Sequence, residues 1–164
     1  YKRLVSIRNH GRPDSTLGTY DHEGFGLNLR LTDIGSAIGR VQLGKLTNFN
    51  RIRERNAQIL SKHLSEVKGV ITPKVPDGSK HSWHQYTIRV EGRESVSNGL
   101  REMGIESRIY YPHLVSDYKH LRGFKSNSPV ASSVVNEVIS IPVHPGISNE
   151  EAIEVASIIS SIVN

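Results

Sequence analysis

Asn28 and Arg30 stand two residues apart in Gly26-Leu27-Asn28-Leu29-Arg30. In an extended segment residues i and i+2 share a side. An amide donor and a guanidinium fork on one side suit a phosphate or pyrophosphate. A second stretch, Arg108-Ile109-Tyr110-Tyr111-Pro112-His113, reads as a strand end. Ligand loops of α/β layers gather at such ends. Alone, each signal is weak, and a structural role for Tyr110 and Tyr111 is the simpler reading.

The other polar groups form no complete catalytic constellation by spacing. Eight His are dispersed along the chain. His81 and His84 are close, but residues three apart on a strand point to opposite faces, and no third metal ligand is placed beside them. Gly24-Phe25-Gly26 does not lie between a strand and a helix, so it reads as a turn rather than a dinucleotide fingerprint. Arg51, Arg53 and Arg55 alternate with Ile52 and Glu54, which fits a solvated helix face.

Composition narrows the field. The 164 residues contain no Cys, which excludes a disulfide scaffold, a Cys-ligated zinc and a thiol nucleophile. The formal net charge of +5 invites an anionic partner such as nucleic acid, an anionic membrane or a phosphorylated small molecule. The basic residues do not cluster and no aromatic-basic stripe supports a nucleic-acid surface. The most apolar stretch, 152–163, is too short and too polar to span a bilayer. A protein of a reducing, cytoplasmic compartment is the simplest expectation. The chain opens on Tyr1 and its only Met is Met103, so it reads as processed or a fragment.

The elements that must position these residues can be sketched from periodicity. Tyr1 to Arg8 reads as the tail of a helix, stopped by Gly11 and Pro13. Residues 15–29 read as an extended loop. Thr32 can cap a helix over 33–46, whose Gly35, Gly39 and Gly44 imply close approach by another element. A second helix is expected over about 48–68, with Phe49, Ile52, Asn56, Ile59, Leu60, His63, Leu64 and Val67 at three- and four-residue steps. Residues 70–80 read as a linker. Strands are expected at 85–90, 105–110 and 140–143 from their alternation. Helices are expected at 94–103, from Ser128-Pro129 onward, and after the capping box Ser148-Asn149-Glu150-Glu151. The order predicts an α/β fold, with residues 1–31 ending one domain, a helical arm over 32–68 and a small α/β domain over 69–164.

Six segments, in order, carry a resemblance. They are Arg8 to Arg12; Gly26 to Arg30; Ala37 to Leu46 with Arg53-Glu54-Arg55-Asn56-Ala57; His84 to Ile88; Gly104 to Pro112; and Ser140 to Pro145. Together they resemble the DegT/DnrJ/EryC1/StrS family, sugar aminotransferases of fold type I that use pyridoxal phosphate (PLP). The resemblance covers nearly the whole chain and implies the C-terminal half of such an enzyme: the end of the large domain, the connecting helices and the small domain. In that family the lysine that holds PLP lies upstream of the segment matching Arg8 to Arg12. None of the eight lysines here matches its motif, so the chain alone is expected to be inactive.

The same resemblance assigns roles. The family's Asn at Asn28 reaches the PLP phosphate of the partner subunit across a homodimer, and its Arg at Arg30 meets a nucleotide-sugar. The pair at Tyr110 and Tyr111 lines the substrate pocket and is usually His then an aromatic. A phenol there can donate a hydrogen bond, but with a pKa near 10 it is not an imidazole's equivalent in proton transfer. The implied reaction moves an amino group from a donor such as glutamate to a nucleotide-linked keto-sugar, in cell-surface polysaccharide or amino-sugar biosynthesis. A same-family sugar dehydratase, with His for the lysine, is the nearest alternative. A non-catalytic dimerisation or nucleic-acid-binding module is the alternative from another class.

Overall fold

The computed structural model describes residues 1–13, 21–121, 123–124 and 127–164. Of the loop expected over 15–29, residues 15–20 lie outside the described residues. The chain divides into two units, Tyr1–Leu46 and Thr47–Asn164. Among the described residues, no helix is long and apolar enough to cross a membrane.

The first unit begins with helix α1, Lys2–Arg8. The chain then turns through His10 and Gly11, both at positive φ. A strip over residues 27–29 runs back along it. Leu27 N–H donates to the Ile7 carbonyl at 2.7 Å, His10 N–H to Leu27 at 3.1 Å and Leu29 N–H to Arg8 at 3.0 Å. Asn9 and Asn28 are antiparallel bridge partners. Glycine is required at the crossing. A Cβ on Gly11 would sit 1.9 Å from the Gly24 carbonyl oxygen, and one on Gly26 would sit 1.9 Å from the Gly11 nitrogen.

Helix α2 runs unbroken over Asp33–Leu64. Two helices were expected here. Thr47 and Asn48 are only mildly unfavourable in a helix interior, and propensity is a weak prior, so they do not divide it. The Thr32 hydroxyl accepts the Gly35 N–H at 3.1 Å, as the sequence predicts for its cap. Among the described residues, the expected close approach to the helix glycines is not found. A Cβ on Gly39 or Gly44 would meet nothing within 4 Å, and one on Gly35 would meet only the adjoining Leu31 and Thr32.

The second unit holds a three-stranded sheet of β1 (Val70–Ile71), β2 (Tyr86–Val90) and β3 (Val138–Ile141), in that spatial order. Both pairings are antiparallel, so the unit combines helices with a small antiparallel sheet rather than the expected α/β layer. Register places Tyr86 opposite Ile141 and Ile88 opposite Ile139 on the core face, with Thr87 opposite Ser140 on the other. The stretch 105–110 alternates in sequence but does not form a strand. Its one pairing is the isolated bridge from Arg108 to Ser140. Helices α3 (Arg93–Glu102), α4 (Pro129–Val134) and α5 (Asn149–Val163) complete the unit.

The core draws on every long element of this unit. Ala57, Leu60 and Leu64 of α2, Val96 and Leu100 of α3, Val155, Ala156 and Ile159 of α5, and the inward residues of β2 and β3 form one buried cluster. The Ser148 capping box is made as read. Ser148 Oγ accepts the Glu151 N–H at 3.1 Å, and the Glu151 carboxylate accepts the Ser148 N–H at 2.7 Å.

Candidate functional site

Two candidate surfaces emerge, one in each unit. In the first unit, Asn28 and Arg30 lie on the same side of the extended strip, as their spacing requires. Asn9 shares that face, because residues directly opposite in an antiparallel bridge do so. Arg30 Nη2 donates to Asn9 Oδ1. The result is a solvent-facing row of two amides and a guanidinium. Arg30 has five N–H donors in a planar fork, so its bond to Asn9 leaves most of the fork to meet a ligand. Such a donor set fits a phosphate: neutral amides and one permanent cation. Asn9 was not singled out from sequence. Its signal is its position directly after α1, which only the bridge to Asn28 turns into a neighbour.

In the second unit, a recess of about 380 Å³ opens at one end of the sheet, lined by Arg53, His84, Gln85, Glu106, Arg108, Tyr110 and His144 among others. The isolated bridge explains how Arg108 arrives there. Its N–H donates to the Ser140 carbonyl at 2.9 Å, and the Ser140 N–H donates back at 2.8 Å. Ser140 is in turn paired with Thr87, and their hydroxyls lie 2.7 Å apart. Arg108, Ser140 and Thr87 therefore form a row across the outer face of the sheet. The Arg108 guanidinium pairs with Glu106, and both side chains are exposed.

Arg53 reaches the recess from α2. Its Nη1 donates to the Trp83 and His84 carbonyls at 3.1 and 3.3 Å. Trp83 is held at φ 50° and its ring lies against His81 and Tyr86, with centroids 4.3 and 5.7 Å away. His144 is presented by a clamp. Buried Asn56 donates to the Val143 and His144 carbonyls at 3.5 and 3.0 Å, and accepts from Arg55 Nη2 at 2.7 Å. Arg55 Nη2 also donates to the Ile147 carbonyl at 2.9 Å.

Tyr110 and Tyr111 part company. Tyr110, half exposed, lines the basic recess. Tyr111 is 73% exposed and lines a different, largely apolar groove of about 340 Å³ with Leu114, Val115, Val134 and Val138. Arg108 heads the stretch 108–113 that the sequence singles out, whereas Arg53, His84 and His144 are not marked as site residues by the sequence. The alternation of Arg53 with Ile52 and Glu54 fits a solvated face, and only the non-local bonds of Arg53 to the chain before β2 set it apart. Among the described residues, no three His, Asp or Glu gather as metal ligands.

The shifted ionisations lie outside both surfaces. Burial pushes the Tyr86 phenol up, and its hydrogen bond to Ser61 pulls it part of the way back. The Arg93 guanidinium lowers Glu94. Backbone N–H bonding at the start of α5 lowers Glu150.

Comparison with known proteins places the chain. The model of the DegT/DnrJ/EryC1/StrS aminotransferase family matches residues 1–160, and the chain belongs to that family. The family is PLP-dependent. The chain is 32% identical over 154 residues to the erythromycin biosynthesis sensory transduction protein EryC1 of Saccharopolyspora erythraea, covering 92% of this chain and 41% of that protein. It is 32% identical over 161 residues to a UDP-N-acetyl-3-dehydro-alpha-D-glucosamine 3-aminotransferase of Acidithiobacillus ferrooxidans, covering 96% and 42%. The crystal structure of a DegT DnrJ EryC1 StrS aminotransferase from Brucella abortus superposes with a TM-score of 0.87 at 27% identity, covering 98% of this chain and 43% of that one. The chain thus spans about two fifths of the length of the relatives it matches.

Proposed function

We propose that this chain is the C-terminal part of a fold type I, PLP-dependent aminotransferase acting on a nucleotide-linked keto-sugar. In this reading residues 1–31 end the large domain, 32–68 form the connecting arm and 69–164 are the small domain. The observation that carries it is the Asn9, Asn28, Arg30 row, a phosphate-fitting donor set in a chain whose family match runs over residues 1–160. Asn28 would hold the PLP phosphate of a partner subunit through its amide N–H donors. Arg30, oriented by Asn9, would meet the phosphates of the nucleotide-sugar. Tyr110 and Tyr111 would line the substrate pocket, with Tyr110 donating a hydrogen bond rather than shuttling a proton. PLP, when bound, supplies the electron sink that lets an amino group move from a donor such as glutamate to the keto carbon. The names of relatives support the substrate class, since one of them acts on a UDP-linked 3-dehydro sugar.

The test is a chimera. The lysine-bearing N-terminal part of the Acidithiobacillus ferrooxidans relative is joined ahead of Tyr1, and turnover of a nucleotide-linked keto-sugar with glutamate is followed. The chimera is expected to transaminate, whereas the 164-residue chain alone shows no turnover and no borohydride-trapped PLP by mass. A folded, PLP-loaded chimera that transfers no amino group would sink the proposal.

A further inference from the structure

We propose that the turn over residues 81–83 is a pH-sensitive latch on one wall of the recess. It is closed while His81 is neutral and released when the imidazole takes up a proton. The proposal does not depend on the aminotransferase reading and concerns the second unit alone.

The turn is built around one hydrogen bond. The Trp83 N–H donates to His81 Nδ1 at 2.9 Å. A ring nitrogen accepts only when it carries no proton, so this bond requires the neutral imidazole with its proton on Nε2. Trp83 needs holding, because its φ of 50° is one that a bulky side chain keeps only where its surroundings impose it. Three contacts do so. They are the His81 bond, the Arg53 Nη1 bond to the Trp83 carbonyl at 3.1 Å, and the Tyr86 ring, whose centroid lies 5.7 Å from that of the indole. The indole is buried, whereas His81 is exposed and open to protons from solvent.

Protonation reverses the first contact. Nδ1 becomes a donor and meets the Trp83 N–H across the same gap, and an amide beside a buried ring loses its acceptor. Charge acts in the same direction. The titratable and charged groups in and against the turn are Lys80 and His84 of its own segment, Arg53 of α2 and the Tyr86 phenol of β2. Lys80 and Arg53 are cations, and among the described residues no carboxylate pairs with His81. The His81 and Trp83 rings, 4.3 Å apart by centroids, are tilted by 49°. That contact gives an imidazolium some attraction to the indole, but it does not restore the acceptor. Release reaches the recess because the next two residues, His84 and Gln85, line it with Arg53.

Trp83 is the only tryptophan of the chain, so its fluorescence reports the latch without labelling. The 164-residue chain is titrated from about pH 8 to about pH 5, the range in which imidazoles change charge. The emission maximum is expected to move to longer wavelength and acrylamide quenching to rise, with far-UV circular dichroism unchanged. Two variants fix the ends of the transition. His81→Asn keeps a neutral oxygen that can accept an N–H two residues on, so it should stay closed across the whole range. His81→Ala has no acceptor, so it should show the shifted emission already at about pH 8. The Gln85 amide resonance should follow the transition in the parent and stay in place in His81→Asn. General acid unfolding cannot produce two pH-independent variants at opposite ends. A fall in intensity with no change of wavelength or quenching would be contact quenching by an imidazolium in a closed turn, and it overturns the proposal. A transition that persists in His81→Asn, or a His81→Ala chain as closed as the parent at about pH 8, overturns it as well.

Discussion

Asn28 acquires its meaning from a neighbour nineteen positions away. The bridge to Asn9 aligns two amides with Arg30, and the crossing of Gly11 with Gly24 and Gly26 is what lets the two segments lie close enough. Gly26→Ala would drive a Cβ into backbone, which no rotamer change relieves. That substitution should cost about 2–3 kcal/mol locally. Its signature is lost hydrogen-exchange protection at the Leu27 and Leu29 amides, which bond to Ile7 and Arg8. Unchanged protection there would show that the crossing tolerates a side chain. The spacing of Asn28 and Arg30 was legible in the sequence because period-two geometry is local. Asn9 and Arg53 were not, because their partners come from chain pairings that no local pattern encodes.

Elements show the same division. The α5 capping box and the β2 alternation were read correctly, being signals contained within a few residues. The strand β1 was missed because Val70-Ile71 is too short to alternate, and it exists only through its pairing with β2. The stretch 105–110 alternates but finds a ladder partner only at Arg108, so pattern without a neighbour did not make a strand. The clamp between α2 and the chain after β3 is the element contact with most at stake. Asn56→Ala would take the amide donor from the Val143 and His144 carbonyls and one acceptor from the Arg55 guanidinium, which keeps the Ile147 carbonyl, and should cost about 2–3 kcal/mol. Ser61→Ala, which loses one bond to Tyr86, should cost about 1 kcal/mol. Both are read as a lower urea midpoint at constant m-value. An Asn56→Ala cost no larger than that of Ser61→Ala would remove the clamp's importance.

The buried Tyr86 adds a pH dependence. Its folded-state pKa lies above the unfolded value near 10. The folded chain therefore holds the phenol proton longer than the unfolded chain. This contribution is fully present below about pH 10 and is lost as pH rises through the folded value. Tyr86→Phe should flatten that alkaline decline, measured by urea melts across pH 9 to 11. A decline of the same slope in the variant would assign it elsewhere.

At the scale of the whole molecule, α2 presents an uncovered apolar stripe. Ile34, Ile38 and Val41 recur at helical spacing and all are more than half exposed. Gly39 and Gly44 are open beside them. Exposed apolar surface of this kind marks an interface, and the proposed homodimer supplies an occupant. Sedimentation of the chain should show self-association that Ile38→Glu with Val41→Glu abolishes. A strictly monomeric chain would contradict it. The composition also takes on a narrower meaning: the +5 charge first admitted nucleic acid, whereas the local basic groups found here form a phosphate-fitting row and a small recess.

The central claim is that the Asn9, Asn28, Arg30 row serves a shared PLP site. Its most direct measurement is the equilibrium affinity of the chimera for PLP phosphate contacts, read by dialysis of pyridoxamine phosphate against Asn28→Ala. The account predicts affinity about tenfold weaker, the loss of one hydrogen bond to a charged phosphate, with thermal stability of the cofactor-stripped protein unchanged. Equal affinity in variant and parent would contradict it.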